Sequence, residues 1–206
     1  LPDRKRPMMP TKLSDDICSL LENQKRFAFT LDIIINRING EVVSYNYCNS
    51  MIIVNNNLRH KTPELHSNDV YIELVKISSK MNKKKIYLDS VVNSHEVVSY
   101  YMVLMNYLTA LKMKEHASGI YRFTISNKEY KAPENAPQDI KKFLKIWHSM
   151  GGQYCKFENV SEHQMLNLEA YLHITSPNRR LVDLLNMIVY QDIFNIVKFT
   201  EKSKIF

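Results

Sequence analysis

"KRFAFTLDIIINRINGEVVSYNYCNSMIIV", residues Lys25 to Val54, consists of two runs rich in aromatic and β-branched side chains, separated by a polar break. In the first run Phe27, Phe29 and Leu31 alternate on one face, which is the period of a half-buried strand. The second run follows Asn39-Gly40, a dipeptide that favours tight turns, so the two predict an antiparallel β-hairpin tipped by that pair. A slip of one residue would turn every side chain over, and the expected register therefore puts Phe27, Phe29 and Leu31 on the core.

Before the hairpin, residues 1–24 carry Pro2, Pro7 and Pro10 and then "LSDDICSL". This reads as a proline-stiffened, extended lead-in ending in a short helical turn. Asp15 and Asp16 flank that apolar turn and are read as capping residues, not as a metal pair. After the hairpin and the polar loop "VNNNLRHKTPEL", residues 66–206 are expected to be mainly helical. Helices are predicted over Asp69–Met81 and Ser94–His116, the latter with Val97, Val98, Tyr101, Leu104, Met105, Leu108 and Leu111 at three- and four-residue steps. Its methionines and tyrosines read as core. "NKKKIYLD", residues 82–89, reads as a solvated basic surface. "QDIKKFLKIWHSMGG" predicts a helix stopped at Gly151-Gly152, with His148 near its C-terminal end, and a short helix is expected around Glu162 to Glu169. Strands first and helices after is an α+β arrangement.

A chain of 206 residues with 45% hydrophobic and 24% charged residues suits one globular core and excludes a disordered polymer. Its 28 Lys+Arg against 21 Asp+Glu leave a formal charge of +7, which favours an anionic partner without naming it. Cys18, Cys48 and Cys155 lie far apart and outside any metal-ligand spacing, as in a reduced intracellular compartment. No apolar run reaches the roughly 18 residues of a membrane span, and no signal peptide opens the chain.

"AYLHITSPNRRLVDLLNM", residues Ala170 to Met187, carries the chemistry. Ser176-Pro177 predicts a helix start, with a hydroxyl N-cap followed by a residue that has no N–H to orphan. Arg179 and Arg180 would then sit in the first turn, where the macrodipole disfavours cations by about 0.3–1 kcal/mol each. The conflict has two resolutions. A phosphate could accept from the helix N-terminus and from the planar guanidinium fork. Alternatively, Asp183, Glu169 or Glu162 neutralises the arginines internally.

"TSPNRRLVDLL" resembles the Thr-Ser-Pro-Ile-Arg-Arg-Tyr-x-Asp-Leu signature of the ribonuclease II/R exoribonucleases, whose catalytic unit is the RNB domain. Other segments agree in order. "LPDRKRPMMPTKLSDDICSL" is similar to that family's Leu-Pro…Pro-Met-Leu-Pro-x-x-Leu-Ser-x-x-Leu-Cys-Ser-Leu run, and the hairpin follows it. "VVSYYMVLMN" is similar to Val-Glu-Glu-x-Met-x-x-Ala-Asn, and "GIYR" to the Leu-Tyr-Arg that comes next. The resemblance implies that the 206 residues are the later portion of an RNB domain, incomplete at its N-terminus. It also implies an intracellular, cytoplasmic protein that degrades single-stranded RNA from the 3′ end to nucleoside monophosphates.

By that resemblance Arg179 is the catalytic arginine at the scissile phosphate, Arg180 its neighbour in RNA binding, and Thr175 and Ser176 the hydroxyls that shape the turn. The resemblance also implies Mg²⁺, held by an aspartate cluster upstream of the leading Leu-Pro segment. The chain starts at Leu1, after that stretch, so the metal ligands are expected outside it, and this polypeptide alone is expected to be inactive. Oligonucleotide-binding modules and the rest of the RNB domain are the implied neighbours. Three departures stand out: Asn178 replaces an apolar residue, Leu181 replaces an aromatic one, and Ser99 and Tyr100 occupy the two acidic positions before Met102. They motivate the alternative of a nuclease-derived RNA-binding or scaffolding protein without catalysis.

Overall fold

The computed structural model describes residues 7–124, 133, 135–141, 144, 152–160, 163 and 166–200. A π-helical turn, Lys12–Ile17, ends the lead-in. Strands β1 (Lys25–Ile35) and β2 (Val42–Ile53) then pair antiparallel, with Phe29 opposite Asn49 and Leu31 opposite Tyr47. A short helix α1 (Pro63–His66) leads into α2 (Asp69–Lys84), and α3 (Ser94–Glu115) follows. A second antiparallel pair joins β3 (Ile120–Thr124) to β4 (Gly152–Lys156), and α4 (Leu181–Ile193) closes the described order. The architecture is α+β, as the sequence predicts.

The hairpin differs from a two-residue turn. Asn36 and Glu41 close the loop through Asn36 N–H donating to the Glu41 carbonyl at 2.8 Å. The Asn36 carboxamide oxygen caps the loop from within by accepting from Ile38 N–H at 2.9 Å. Asn39-Gly40 lies late in this loop, and the register shifts between Ile34 and Ile35. Gly40 has φ +73°, and a Cβ there would stand 2.8 Å from the backbone of Lys80 and Met81. The hairpin tip is therefore set by contact with α2 as well as by local turn chemistry.

Helix α3 is the central element. Its start is fixed by a capping box in which Asn93 accepts from His95 and Glu96 N–H, while the Glu96 carboxylate accepts from Asn93 N–H. It is buried on more than one side, because Val97, Tyr100, Val103, Leu104, Tyr107, Ala110 and Met113 are all in the core. The expected stripe needs correction at Val98, which is exposed. One core packs Ile33, Ile35 and Val42 of the hairpin against α2 and α3. The other packs Phe29, Leu31 and Tyr47 against α3, β3 and α4. In it Tyr47 shares a 2.8 Å hydrogen bond with Thr109, and its ring centroid lies 4.7 Å from that of Tyr190.

Two strands were not read from the sequence, and the short helix expected around Glu162 to Glu169 falls partly outside the described residues, with Leu166 in a 3₁₀ turn. Strands β3 and β4 are five residues each, too short for a periodic signal. Around Glu162 to Glu169, His163 and Leu168 form an antiparallel bridge, with His163 N–H donating to the Leu168 carbonyl at 2.8 Å. Residues 138–141 are helical, while Glu162 and His148 lie outside the described residues. No described helix is long and apolar enough to cross a membrane.

Candidate phosphate-contacting turn

The segment Ala170–Ile174 runs buried beside β3, with Arg122 N–H donating to the Tyr171 carbonyl at 2.7 Å. Two buried asparagines hold it. Asn106 of α3 accepts from Ile174 N–H at 3.0 Å and donates to the Tyr171 hydroxyl at 2.9 Å. Asn186 of α4 accepts from Ile120 N–H at 2.9 Å and donates to the carbonyls of Ile120 and His173 at 2.9 and 3.0 Å. Each amide thereby satisfies backbone groups that would otherwise be orphaned in the core. The turn that follows is thus mounted on β3, α3 and α4 together.

Ser176 is not the N-cap. The carbonyl of Ser176 accepts from Arg179 and Arg180 N–H at 3.2 and 3.1 Å, a closed turn that ends before the helix begins. Arg180 is the N-cap, in extended conformation, and α4 starts at Leu181. The expected helix start at Pro177 is corrected by four residues. The reason is Asp183, fully buried in the first turn of α4, whose Oδ1 accepts from Ser176 N–H at 2.7 Å and from Arg180 Nη2 at 2.8 Å. A carboxylate in that turn complements the macrodipole and turns Arg180 inward.

The two arginines therefore divide the two resolutions between them. Arg180 takes the internal ion pair. Arg179 is exposed, and its guanidinium makes no hydrogen bond or ion pair with any described residue. Thr175 Oγ1 is buried without a hydrogen-bond partner among the described residues, and the Asn178 side chain donates to the Cys18 carbonyl at 3.0 Å, tying the turn to the lead-in. Thr175, Ser176 and Arg179 border a groove of about 650 Å³ whose apolar wall includes Leu20, Phe27 and Met105.

Sequence reasoning did not find the histidine behind this turn. His173 is buried, with Arg122 Nη1 3.2 Å from its Nε2 and the Tyr154 hydroxyl 2.8 Å from its Nδ1. Arginine only donates, so Nε2 accepts and Nδ1 carries the proton toward Tyr154. Burial, then the charges of Arg180 and Arg122, then His163 and Arg179, push the His173 pKa down to about 3. A glycine makes room for this arrangement, since a Cβ at Gly152 would meet Arg122 Nε at 2.2 Å. The only hint in the sequence was "GIYR", which places an arginine on β3. Three guanidinium groups thus act on one neutral imidazole from β3 and from the turn.

Among the described residues no three His, Cys, Asp or Glu side chains come together in a group that could hold a metal ion. Asp15 and Asp16 are engaged otherwise: Asp15 accepts from Ser14, and Asp16 pairs with Lys12 and Arg26. At the positions where the resemblance places acids, Tyr100 is packed in the core against Tyr87 and Tyr101. The described residues do not fit a Mg²⁺ site.

The family profile of the RNB domain matches residues 1–69 and 58–195. No curated protein sequence matches the chain. Among solved structures, the chain is similar to Mycoplasma genitalium RNase R in complex with ribose methylated single-stranded RNA, at 15% identity and a TM-score of 0.67 over 95% of this chain and 41% of that one. It is similar to yeast Ssd1, a pseudonuclease, at 14% identity and a TM-score of 0.70 over 96% of this chain and 32% of that one. It is also similar to an active-site mutant of the Dss1 exoribonuclease from Candida glabrata, at 19% identity and a TM-score of 0.68 over 100% of this chain and 33% of that one. The chain spans less than half the length of each.

Proposed function

Since the chain belongs to the RNB domain family, we propose that it is the RNA-binding, phosphate-contacting portion of a 3′→5′ hydrolytic exoribonuclease, with Arg179 as the group that meets an RNA phosphate. The observation that carries this reading is the division of the two arginines. Arg180 is engaged with Asp183, whereas Arg179 is exposed and uncommitted at the edge of a groove. A guanidinium offers a phosphate two parallel donors, and the neighbouring Arg122 and Arg180 raise the local positive potential. Thr175 and Ser176 shape the turn that presents it. Mg²⁺ would have to be held by residues other than those described, and single-stranded RNA is the partner proposed.

The test is Arg179→Ala in the full-length protein. RNA affinity should fall about 10- to 150-fold, the equivalent of the roughly 1.5–3 kcal/mol of a charge-assisted contact. Thermal stability should stay within about 0.5 kcal/mol. Arg179→Lys should recover part of the affinity, because a point charge keeps the attraction and gives up the fork. Unchanged affinity in both variants would remove Arg179 from the interface.

One observation favours a second reading, a nuclease-derived RNA-binding protein without catalysis. Tyr100 fills the core where the resemblance has an acid, and Ser99 beside it carries no charge. Incubating the full-length protein with 3′-extended RNA and Mg²⁺ separates the two: released nucleoside monophosphates support the enzyme, and RNA bound without shortening supports the second reading.

A further inference from the structure

Phe27 is the side chain that the fold leaves without an explanation. The hairpin register places it on the face of Phe29 and Leu31, yet those two pack into the core while Phe27 is 85% exposed. The ribbon simply extends past the core at this end. Among the described Phe, Tyr and Trp side chains the only other exposed one is Tyr154, which is bonded to His173. Phe27 also lines the groove bordered by Ser176 and Arg179.

The strand beneath the ring is held rigidly. Arg26 donates to the carbonyls of Asp16 and Ser19 at 3.1 and 2.9 Å and pairs with the Asp16 carboxylate at 3.0 Å. This pins the start of β1 to the π-helical turn, so the adjacent ring projects from a fixed backbone. An exposed, preorganised aromatic face beside an uncommitted guanidinium is the pair of elements that single-stranded nucleic acid uses, with a base on the ring and a phosphate on the cation. The arginine supplies the charge complementarity that an apolar protein segment would not need.

We propose that Phe27 is a base-stacking platform for single-stranded RNA, seating a nucleobase in the groove whose rim carries Arg179. The proposal rests on the reading of Arg179 as a phosphate contact and adds a residue that reads the base face. Stacking accepts any base, so Phe27 contributes affinity with little sequence preference.

Binding of labelled oligoadenylate, and of the same oligomer built from abasic units, to the full-length protein tests it. Phe27→Ala should weaken oligoadenylate binding by roughly tenfold and leave abasic binding unchanged, with an unaltered melting temperature because the ring is exposed. Phe27→Trp should bind oligoadenylate at least as well as the wild type. Arg179→Ala should weaken both ligands. If Arg179→Ala weakens binding and Phe27→Ala does not, the stacking platform is overturned while the phosphate contact stands. If neither does, both fall. A Phe27→Ala variant with normal RNA affinity but faster proteolysis of its own polypeptide would make the ring a packing site for protein and would likewise overturn the proposal.

Discussion

Arg180 Nη2 donates to Asp183 Oδ1 across 2.8 Å, in a pair whose carboxylate is fully buried and whose guanidinium is three-quarters buried. The same Oδ1 accepts Ser176 N–H, so one atom closes the turn and orders the cation. Asp183→Ala should destabilise by roughly 2–4 kcal/mol, somewhat below the cost of breaking a fully buried pair because Arg180 can still reach water. Arg180→Ala should also destabilise, whereas Arg179→Ala should not. Chemical denaturation of the three variants checks this, and equal losses from both arginines would contradict the division described above.

Stability should fall as the medium is acidified through the histidine range. An unfolded histidine takes up its proton near pH 6.5, whereas His173 stays neutral in the fold until about pH 3. Between those values the unfolded state binds more protons, and the slope is up to about 1.4 kcal/mol per pH unit. Burial lowers His163 in the same direction. The partly exposed carboxylates Asp16, Glu73 and Glu96, and that of Glu64, whose pKa values are also lowered from their ordinary values of 3.8 to 4.5, add their losses from about pH 5 downward. Denaturation between pH 5 and 7 therefore isolates the histidines. His173→Gln should flatten that slope, and an unchanged slope would mean that His173 is protonated in the fold.

Gly40→Ala should cost about 1–3 kcal/mol or more. The added Cβ would press on the backbone at Lys80 and Met81, which cannot rotate away, and φ is positive. Denaturant midpoints check it. Asn39→Ala makes a useful contrast, because the Asn39 side chain bonds only within the exposed loop, to Glu41. A loss from Asn39→Ala equal to that from Gly40→Ala would show that local turn chemistry, not contact with α2, sets the tip.

The hairpin and α3 were legible because their signals are long: eleven and twelve residues of strand and twenty-two of helix carry enough period to read. The arginine turn was legible as chemistry but misplaced as structure. Ser-Pro is a sound helix start in isolation, but the buried carboxylate of Asp183, seven residues on, captures Ser176 N–H and delays the helix to Leu181. Phe27 shows a different limit: alternation gives its face correctly, but only the extent of the core decides whether that face is covered at its end. The His173 cluster was illegible because Arg122, Tyr154 and His173 come from three separate segments: β3–β4 pairing sets Arg122 beside Tyr154, and the bridge from Tyr121 to Leu172 brings in His173.

Asn186 is where stability and the proposed RNA contact should be linked. Its fully buried carboxamide bonds Ile120 N–H and the carbonyls of Ile120 and His173, joining α4 to β3 and to the residue three places before Ser176. Asn186→Leu keeps much of the volume but leaves a buried N–H without an acceptor and two carbonyls without that donor. At about 1–3 kcal/mol for an unsatisfied buried group, the loss should reach roughly 3 kcal/mol or more. Asn186→Asp could still accept from Ile120 N–H, but it would turn a carboxylate oxygen toward two carbonyls, so it should be no milder. RNA affinity measured well below the melting transition should drop with the leucine variant, because the turn carrying Arg179 loses its anchor while Arg179 itself is untouched. A leucine variant that melts early yet binds RNA with wild-type affinity and salt dependence would show that the turn holds its geometry through Asn106 and Asp183 alone.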